Sequence, residues 1–133
     1  MSHFTAVKTK IKDMICLTRA LKDLNYEFTQ ATEEQLVHVR GYQGQTTEAL
    51  LSIHASKTYD IGVVQTQDGL AFVADWWGVE TTRGVEEQEF VRAVTQRYSY
   101  HKVMDEIKKR GFTIESEEVD EEEQIQVRVR TWS

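Results

Sequence analysis

The alternation of apolar and polar residues predicts short strands interrupted by two amphipathic helices. Residues 3–10 are rich in β-branched side chains and predict a first strand. Apolar residues then recur at spacings of 3, 4 and 3, which predicts a helix over residues 13–24. Asp13 stands where an N-cap is expected, and Asn25 tolerates the left-handed conformation that ends helices. The apolar stripe consists of Met14, Leu17, Leu21 and Leu24.

The middle of the chain predicts five strands separated by polar turns. The runs are "YEFTQ", "QLVHVRG", "EALLSIHA" and the two halves of "IGVVQTQDGLAFVAD". "EALLSIHA" is compatible with either a helix or a strand, and the alternation of Leu51, Ile53 and Ala55 favours a strand. Asp68-Gly69 predicts a hairpin turn, because both central residues of such a turn need a positive φ.

A second, longer helix is predicted from about residue 86 to residue 110, closed by Gly111 after the basic "KKR". Two strands, "FTIESEEV" and "IQVRVRTW", end the chain, and "EEVDEEE" forms the predicted hairpin tip between them. The element order predicts one α+β domain over residues 1–133, with two main helices on one face of an antiparallel sheet. A ferredoxin-like topology with an inserted hairpin is the nearest named arrangement.

The second helix carries a charged residue in the middle of its apolar face. Arg97 either marks a break around residues 96–99, lays only its stem on the sheet, or is buried and paired. Pairing is compulsory for a buried arginine, since an unpaired one costs several kcal/mol. The face collects Phe90, Ala93, Val94, Arg97, Tyr100, Met104 and Ile107.

The sequence "RYSYH", Arg97 to His101, is the first candidate site. Arg97 could hold a carboxylate or phosphate, while Tyr98, Tyr100 or His101 orient the ligand or act in acid–base chemistry. The alternative is ordinary aromatic packing of a helix against a sheet.

Adjacent tryptophans form the second candidate site. Trp76 and Trp77 end a predicted strand, where consecutive side chains point to opposite faces. One can therefore enter the core while the other reaches a partner surface, and exposed tryptophans are common interface anchors. Arg128, Arg130 and Arg40 could form a basic stripe if their strands are neighbours, or pair with the acidic runs of the chain.

Composition narrows the classes of function. Sixteen basic and twenty-two acidic residues give a net charge of −6, which disfavours a general nucleic-acid binder. Cys16 is the single cysteine, which indicates a reducing compartment, and its place beside the apolar stripe predicts a buried residue. The four histidines are scattered, so the sequence predicts neither a metal site nor a cofactor. No apolar run is long enough for a membrane span, and no signal segment is recognised.

Four segments carry a resemblance to a known family. They are "MSHFTAVKTKIKD", "LTRALKDLNY", "FVRAVTQRYSYHKVMDEIKKRGF" and "VRVRTW", with Gln96–Tyr100 and Trp132 as the most specific elements. The chain resembles the hypothetical chloroplast reading frame 35 family, also catalogued as domain of unknown function 1257. The resemblance implies a cyanobacterial or plastid setting, in the cytosol or the stroma. It implies no reaction and no catalytic residues.

Two functions are expected from these observations. The first is a non-enzymatic accessory module that binds a protein partner through the outer tryptophan and the Tyr98/Tyr100/His101 edge. The alternative is a small-molecule or anion site, possibly catalytic, between the sheet and the second helix around Arg97. A third reading, an RNA-facing sheet, needs exposed aromatic residues on central strands and conflicts with the net charge.

Overall fold

Five antiparallel strands form the main sheet of the protein, which a computed structural model describes over residues 3–119 and 124–131. Elements are numbered in chain order, and the spatial order of this sheet is β1-β7-β6-β5-β2. The strands are β1 (Thr5–Lys8), β2 (Glu27–Gln30), β5 (Leu51–His54), β6 (Asp60–Thr66) and β7 (Gly69–Ala74). Each neighbouring pair is antiparallel, as predicted.

Two helices share one core with this sheet. α1 (Met14–Asp23) and α3 (Glu87–Lys109) pack against each other and against alternate residues of the strands. The buried apolar side chains at the centre of this core are Leu17, Leu21, Leu51, Ile53, Ile61, Val63, Phe72, Phe90 and Val94. The α+β class with two main helices is thereby confirmed.

The ends of α1 follow the sequence prediction closely. Asp13 is the N-cap, and its Oδ1 accepts hydrogen bonds from the backbone N–H groups of Ile15 and Cys16. These are two of the donors that the first helical turn leaves without a partner. Asn25 has φ of 63° just past the helix, as expected for a left-handed stop.

A separate two-stranded sheet covers the opposite face of the main sheet. It consists of β3 (Val37–Arg40) and β4 (Thr46–Ala49), joined through a 3-10 turn at Tyr42–Gly44. A Cβ atom at Gly62 would lie 2.7 Å from Val39 Cγ2, so this close approach of the two layers requires a glycine. The run "EALLSIHA" is therefore not one strand: it divides at Leu50 into β4 and β5, which belong to different sheets.

The hairpin between β6 and β7 is confirmed, but its turn lies one residue earlier than predicted. Thr66 pairs with Gly69, so Gln67 and Asp68 are the two turn residues. Neither of them has a positive φ, and the reason given for the Asp-Gly turn is wrong. Gly69 instead begins β7 with φ of 147°. The backbone N–H of the next residue, Leu70, donates to the Ile11 carbonyl.

The last two strands do not join the main sheet. β8 (Phe112–Val119) and β9 (Ile125–Thr131) pair with each other and lie beside α3. The prediction of one sheet is therefore wrong, since the described residues form three. The ferredoxin-like topology with an inserted hairpin is not confirmed. The predicted hairpin tip falls largely on residues 120–123, which lie outside the described residues, as does Trp132.

A third helix, α2 (Trp76–Arg83), was not predicted. Asp75 is buried and acts as its N-cap, accepting from the Gly78 N–H through Oδ1 at 3.2 Å. Gly84, with φ of 82°, ends it. The two tryptophans were assigned to a strand end because "AFVAD" alternates, and the short helix that follows a capping aspartate was missed.

Candidate functional site

The "RYSYH" cluster lies on an unbroken helix and is distributed over several faces of it. α3 is helical over all of its 23 residues, so the alternative of a break around residues 96–99 is not what the structure has. Tyr98 continues the buried stripe of Phe90 and Val94, at 9% exposure. Its phenol oxygen accepts hydrogen bonds from the backbone N–H groups of Lys12 and Asp13, both at 3.1 Å. Tyr98 therefore fastens α3 to the start of α1.

Arg97 and His101 converge on one carboxylate at the end of α1. The Arg97 Nε and Nη2 atoms lie 3.0 and 2.8 Å from Asp23 Oδ2, and His101 Nε2 lies 2.6 Å from the same oxygen. Partial burial raises the pKa of Asp23, but the hydrogen bonds from His101 and Arg97 outweigh it and hold that pKa below its usual value. Of the alternatives for Arg97, pairing with a carboxylate is observed. The guanidinium also lies over the Tyr100 ring, 4.4 Å from its centroid.

A second polar group lies further along the α1–α3 contact. The Cys16 thiol donates to Asp105, whose carboxylate also accepts from Arg19, while Lys102 contacts Asp13. Cys16 is fully buried, as predicted. Burial, with hydrogen bonds to Asp105 and Asp13 and the charges of both, raises its pKa to about 11.

Asp13, Cys16 and Asp105 place their ligand atoms within 4.8 Å of one another, a grouping that the sequence did not predict. Two of these residues lie 89 positions apart in the chain. Each carboxylate already has a cationic partner, Lys102 or Arg19. The ion pairs and the Cys16–Asp105 hydrogen bond of this group join α1 to α3.

The two tryptophans separate as expected, although they do so from a helix. Trp76 is 8% exposed and donates through Nε1 to the Thr5 carbonyl at 3.2 Å. Trp77 is 58% exposed, and its ring meets that of Tyr42 edge to face at 6.4 Å. Trp77 and Tyr42 thus form an aromatic pair accessible from solvent.

An apolar cleft of about 1140 Å³ lies between α3 and the β8–β9 hairpin. Its polar lining includes Glu87 and Glu89 at the start of α3, and Arg97 does not line it. Tyr100 lines the cleft and donates its O–H to Glu117 on β8 at 2.8 Å. The cleft's main apolar residues are Val7, Val91, Val103, Ile125 and Val127. Sequence reasoning missed this cleft because it depends on the position of the hairpin beside the helix.

A buried ion pair joins β3 to the main sheet. Asp60 is 1% exposed and accepts from Arg40 through both carboxylate oxygens, each at 2.9 Å from a guanidinium nitrogen. His54 Nδ1 lies 3.1 Å from Asp60 Oδ1, and His54 Nε2 lies 2.9 Å from the Thr29 hydroxyl. Burial raises the pKa of Asp60, but the hydrogen bonds from Arg40 and His54 outweigh it and lower that pKa.

The predicted basic stripe does not form. Arg40 belongs to β3, while Arg128 and Arg130 belong to β9 in another sheet. The condition that these strands be neighbours is therefore not met.

These features define a small α+β protein with structural ion-pair groups between its layers and one large apolar cleft. Within the described residues, no helix combines the length and apolar character needed to cross a membrane.

The family model "Protein of unknown function (DUF1257)" matches residues 20–128. The chain therefore belongs to the DUF1257 family, which confirms the resemblance found in the sequence.

Three relatives match along nearly the whole chain, and all are described as uncharacterized protein ycf35. That of Guillardia theta is 32% identical over 138 residues, covering 99% of this chain and 98% of the relative. That of Cyanophora paradoxa is 29% identical over 132 residues, covering 99% and 98%. That of Pyropia yezoensis is 25% identical over 139 residues, covering 100% and 99%. No solved structure matches the chain.

Proposed function

We propose that this chain is a non-enzymatic protein-interaction module, acting as one domain, whose apolar cleft binds a segment of a partner protein. The observation that carries the proposal is an apolar cleft lined by the exposed Val103, with further exposed valines on the hairpin that forms its other wall. Val103 on α3 is 48% exposed, and Val119 and Val129 on the hairpin are 68% and 38% exposed. An apolar cleft with exposed apolar side chains is typical of interaction sites.

The charges around the cleft favour a basic partner segment. Glu87, Glu89 and Arg92 line it, so acidic side chains outnumber basic ones, and the Glu117 carboxylate lies beside it, bound to Tyr100. The whole chain carries a net charge of −6. Charge complementarity of this type sets partner choice and association rate more than affinity. We infer a partner segment with apolar residues on one face and lysine or arginine on the other.

The Trp77–Tyr42 pair supports the same class of function on a different surface. An aromatic side chain that is 58% exposed is available as an anchor for a second contact. By contrast, Tyr98 and His101 are engaged within the protein, by the α1 backbone and by Asp23. Of the predicted contacts on α3, Tyr100 is the one that lines the cleft.

The alternative, an anion site around Arg97, has weaker support. Two of its guanidinium nitrogens already donate to Asp23, and its side chain is 28% exposed. The family relationship supports a cyanobacterial or plastid-type setting, in the cytosol or the stroma, for the interaction module.

A pair of designed peptides tests the proposal. Both are amphipathic helices with the same apolar residues, one with a lysine-rich polar face and the other with a glutamate-rich one. Fluorescence anisotropy should show binding of the basic peptide only, weakening as salt is raised. Val103→Asp should weaken it at least about tenfold, because a charge would replace an apolar contact.

Ile15→Asp is the matched control. Ile15 is 64% exposed on α1 and does not line the cleft, so this variant should bind as the wild type does. Equal binding of both peptides, or no effect of Val103→Asp, would overturn the proposal. A loss seen only in Trp77→Ala would move the site to the aromatic pair.

A further inference from the structure

A second cavity, of about 300 Å³, lies between the β2–β5 edge of the main sheet and the strand β3 that covers it. Its polar lining includes Thr29, Gln30, Gln35, His38, Ser52 and His54. We propose that this cavity is a binding site for a small oxyanion, either a carboxylate or a phosphate. The site is separate from the α3 cleft and does not depend on the function proposed for it.

The side chains that line the cavity suit a ligand that is rich in hydrogen-bond acceptors. The lining presents the His38 imidazole, hydroxyl groups and side-chain amides, which can donate hydrogen bonds, whereas both ring nitrogens of His54 already face protein groups. No carboxylate is among the lining residues, although the chain contains twenty-two acidic residues. The acidic residues opposite the two histidines in register are Glu27 and Asp60, on either side of His54, and Glu48, opposite His38, and none of them lines the cavity.

Ser52 supplies a donor that the protein does not use. Its side chain is 1% exposed, and its Oγ has no hydrogen-bond partner among the described residues. A buried hydroxyl without a partner is destabilising, whereas an oxygen atom of a ligand in the cavity would accept its hydrogen bond. Gly62, opposite Ser52 on β6, has no side chain that could take this role.

His54 is held in a fixed orientation by charges behind it. Its Nδ1 faces Asp60, whose charge is balanced by two hydrogen bonds from the Arg40 guanidinium. Its Nε2 faces the Thr29 hydroxyl. Both ring nitrogens of His54 therefore have partners in the protein, and the imidazole holds the Thr29 hydroxyl at the cavity wall.

The first experiment is an amide NMR titration of the whole chain with inorganic phosphate, with succinate, and with sodium chloride at matched ionic strength. We expect saturable shifts at Thr29, Ser52 and His54 that chloride does not produce. Shifts with phosphate alone identify a phosphate site, and shifts with succinate alone identify a carboxylate site. Shifts no larger than those with chloride, or shifts confined to Arg128 and Arg130, would overturn the proposal.

Ser52→Ala separates ligand binding from a structural role. Because Ser52 Oγ has no partner within residues 3–119 and 124–131, the variant should unfold at the same temperature as the wild type or higher when no anion is added. Its affinity for the effective anion should fall about tenfold, as expected for one lost hydrogen bond. Ser99→Ala, at an exposed position on α3, is the matched control and should change neither quantity.

Two results would contradict the assignment of Ser52. The first is an unchanged anion affinity in Ser52→Ala. The second is a ligand-free protein destabilised by the substitution, because the hydroxyl would then already have a partner. Since the peptide experiment probes α3, failure here leaves the interaction proposal unaffected.

Discussion

Replacing Tyr98 with phenylalanine removes a single oxygen atom from the contact between α1 and α3. The aromatic ring keeps its buried position at 9% exposure, so the apolar packing is unchanged. Two backbone N–H groups, those of Lys12 and Asp13, lose their acceptor. Both stand at the entry to α1, where the chain provides no intrahelical partner.

The loss in the free energy of unfolding follows from the number of backbone N–H groups left without an acceptor. A buried donor that loses its partner costs about 1–3 kcal/mol. Both hydrogen bonds are only partly buried, and Lys12 is exposed, so water can replace part of the loss. We therefore expect Tyr98→Phe to lower the free energy of unfolding by about 1.5–3 kcal/mol in total. This is a large share of the about 5–15 kcal/mol of a typical domain.

Tyr100→Phe is a matched control on the same helix. Its O–H donates to Glu117 in an exposed contact, so its loss should cost less than about 0.5 kcal/mol. Urea denaturation at pH 7, followed by circular dichroism, measures both variants, and the m-value should not change. Hydrogen exchange should accelerate at the Lys12 and Asp13 amides in Tyr98→Phe only. Equal costs for the two variants, or unchanged exchange at these amides, would refute the reasoning.

Three further predictions concern single residues elsewhere in the fold. Asp60→Asn should lower the free energy of unfolding at pH 7 by about 2–4 kcal/mol. We expect a value near the lower end of this range, because the Arg40 side chain is 42% exposed. Burial raises the pKa of Asp60, but hydrogen bonds from Arg40 outweigh it, so the folded pKa lies below the unfolded one. The stability from the Asp60 charge is therefore present above about pH 4 and lost as pH falls through the folded pKa. Urea titrations should show the wild type approaching Asp60→Asn at pH 3, and a constant difference would contradict this. Cys16, with a pKa of about 11 raised mainly by burial, should react with iodoacetamide at pH 8 only on unfolding. Labelling of the folded protein would show that the Cys16 thiol is accessible and not buried. Gly78→Ala should cost about 3 kcal/mol or more, since its Cβ would overlap the Tyr59 ring, and a melting temperature within 2–3 °C of wild type would contradict this.

Much of the local structure could be predicted because it depends on neighbours within one or two turns. Asp13, Asn25 and Gly111 mark helix boundaries through their own side chains or backbone conformations. The buried Cys16 follows from its place beside an apolar stripe. Such signals need no knowledge of the rest of the fold.

The errors arose where two local patterns competed. The run "EALLSIHA" has the alternation of one strand, yet it leaves one sheet and enters another at Leu50, whose N–H and C=O bind Val63 and Ala31 of neighbouring segments. Trp76 and Trp77 follow a strand so closely that alternation hides the helix begun by Asp75.

The candidate site shows the same limit more sharply. Periodicity placed Arg97 and Tyr100 on the apolar face of the helix, but Tyr98 is the residue of this cluster that is buried. The face that meets the core is decided by α1, since Lys12, Asp13 and Asp23 supply partners to Tyr98, Arg97 and His101 from 74 to 86 positions away.

The sequence alone therefore determined the family, the main helices and most of the strands, because these depend on local composition and spacing. The tertiary structure decided the grouping of strands into sheets, the α3 cleft and the cavity beside Ser52. Each of these depends on contacts between distant segments, where many alternatives satisfy the same local pattern and packing selects one.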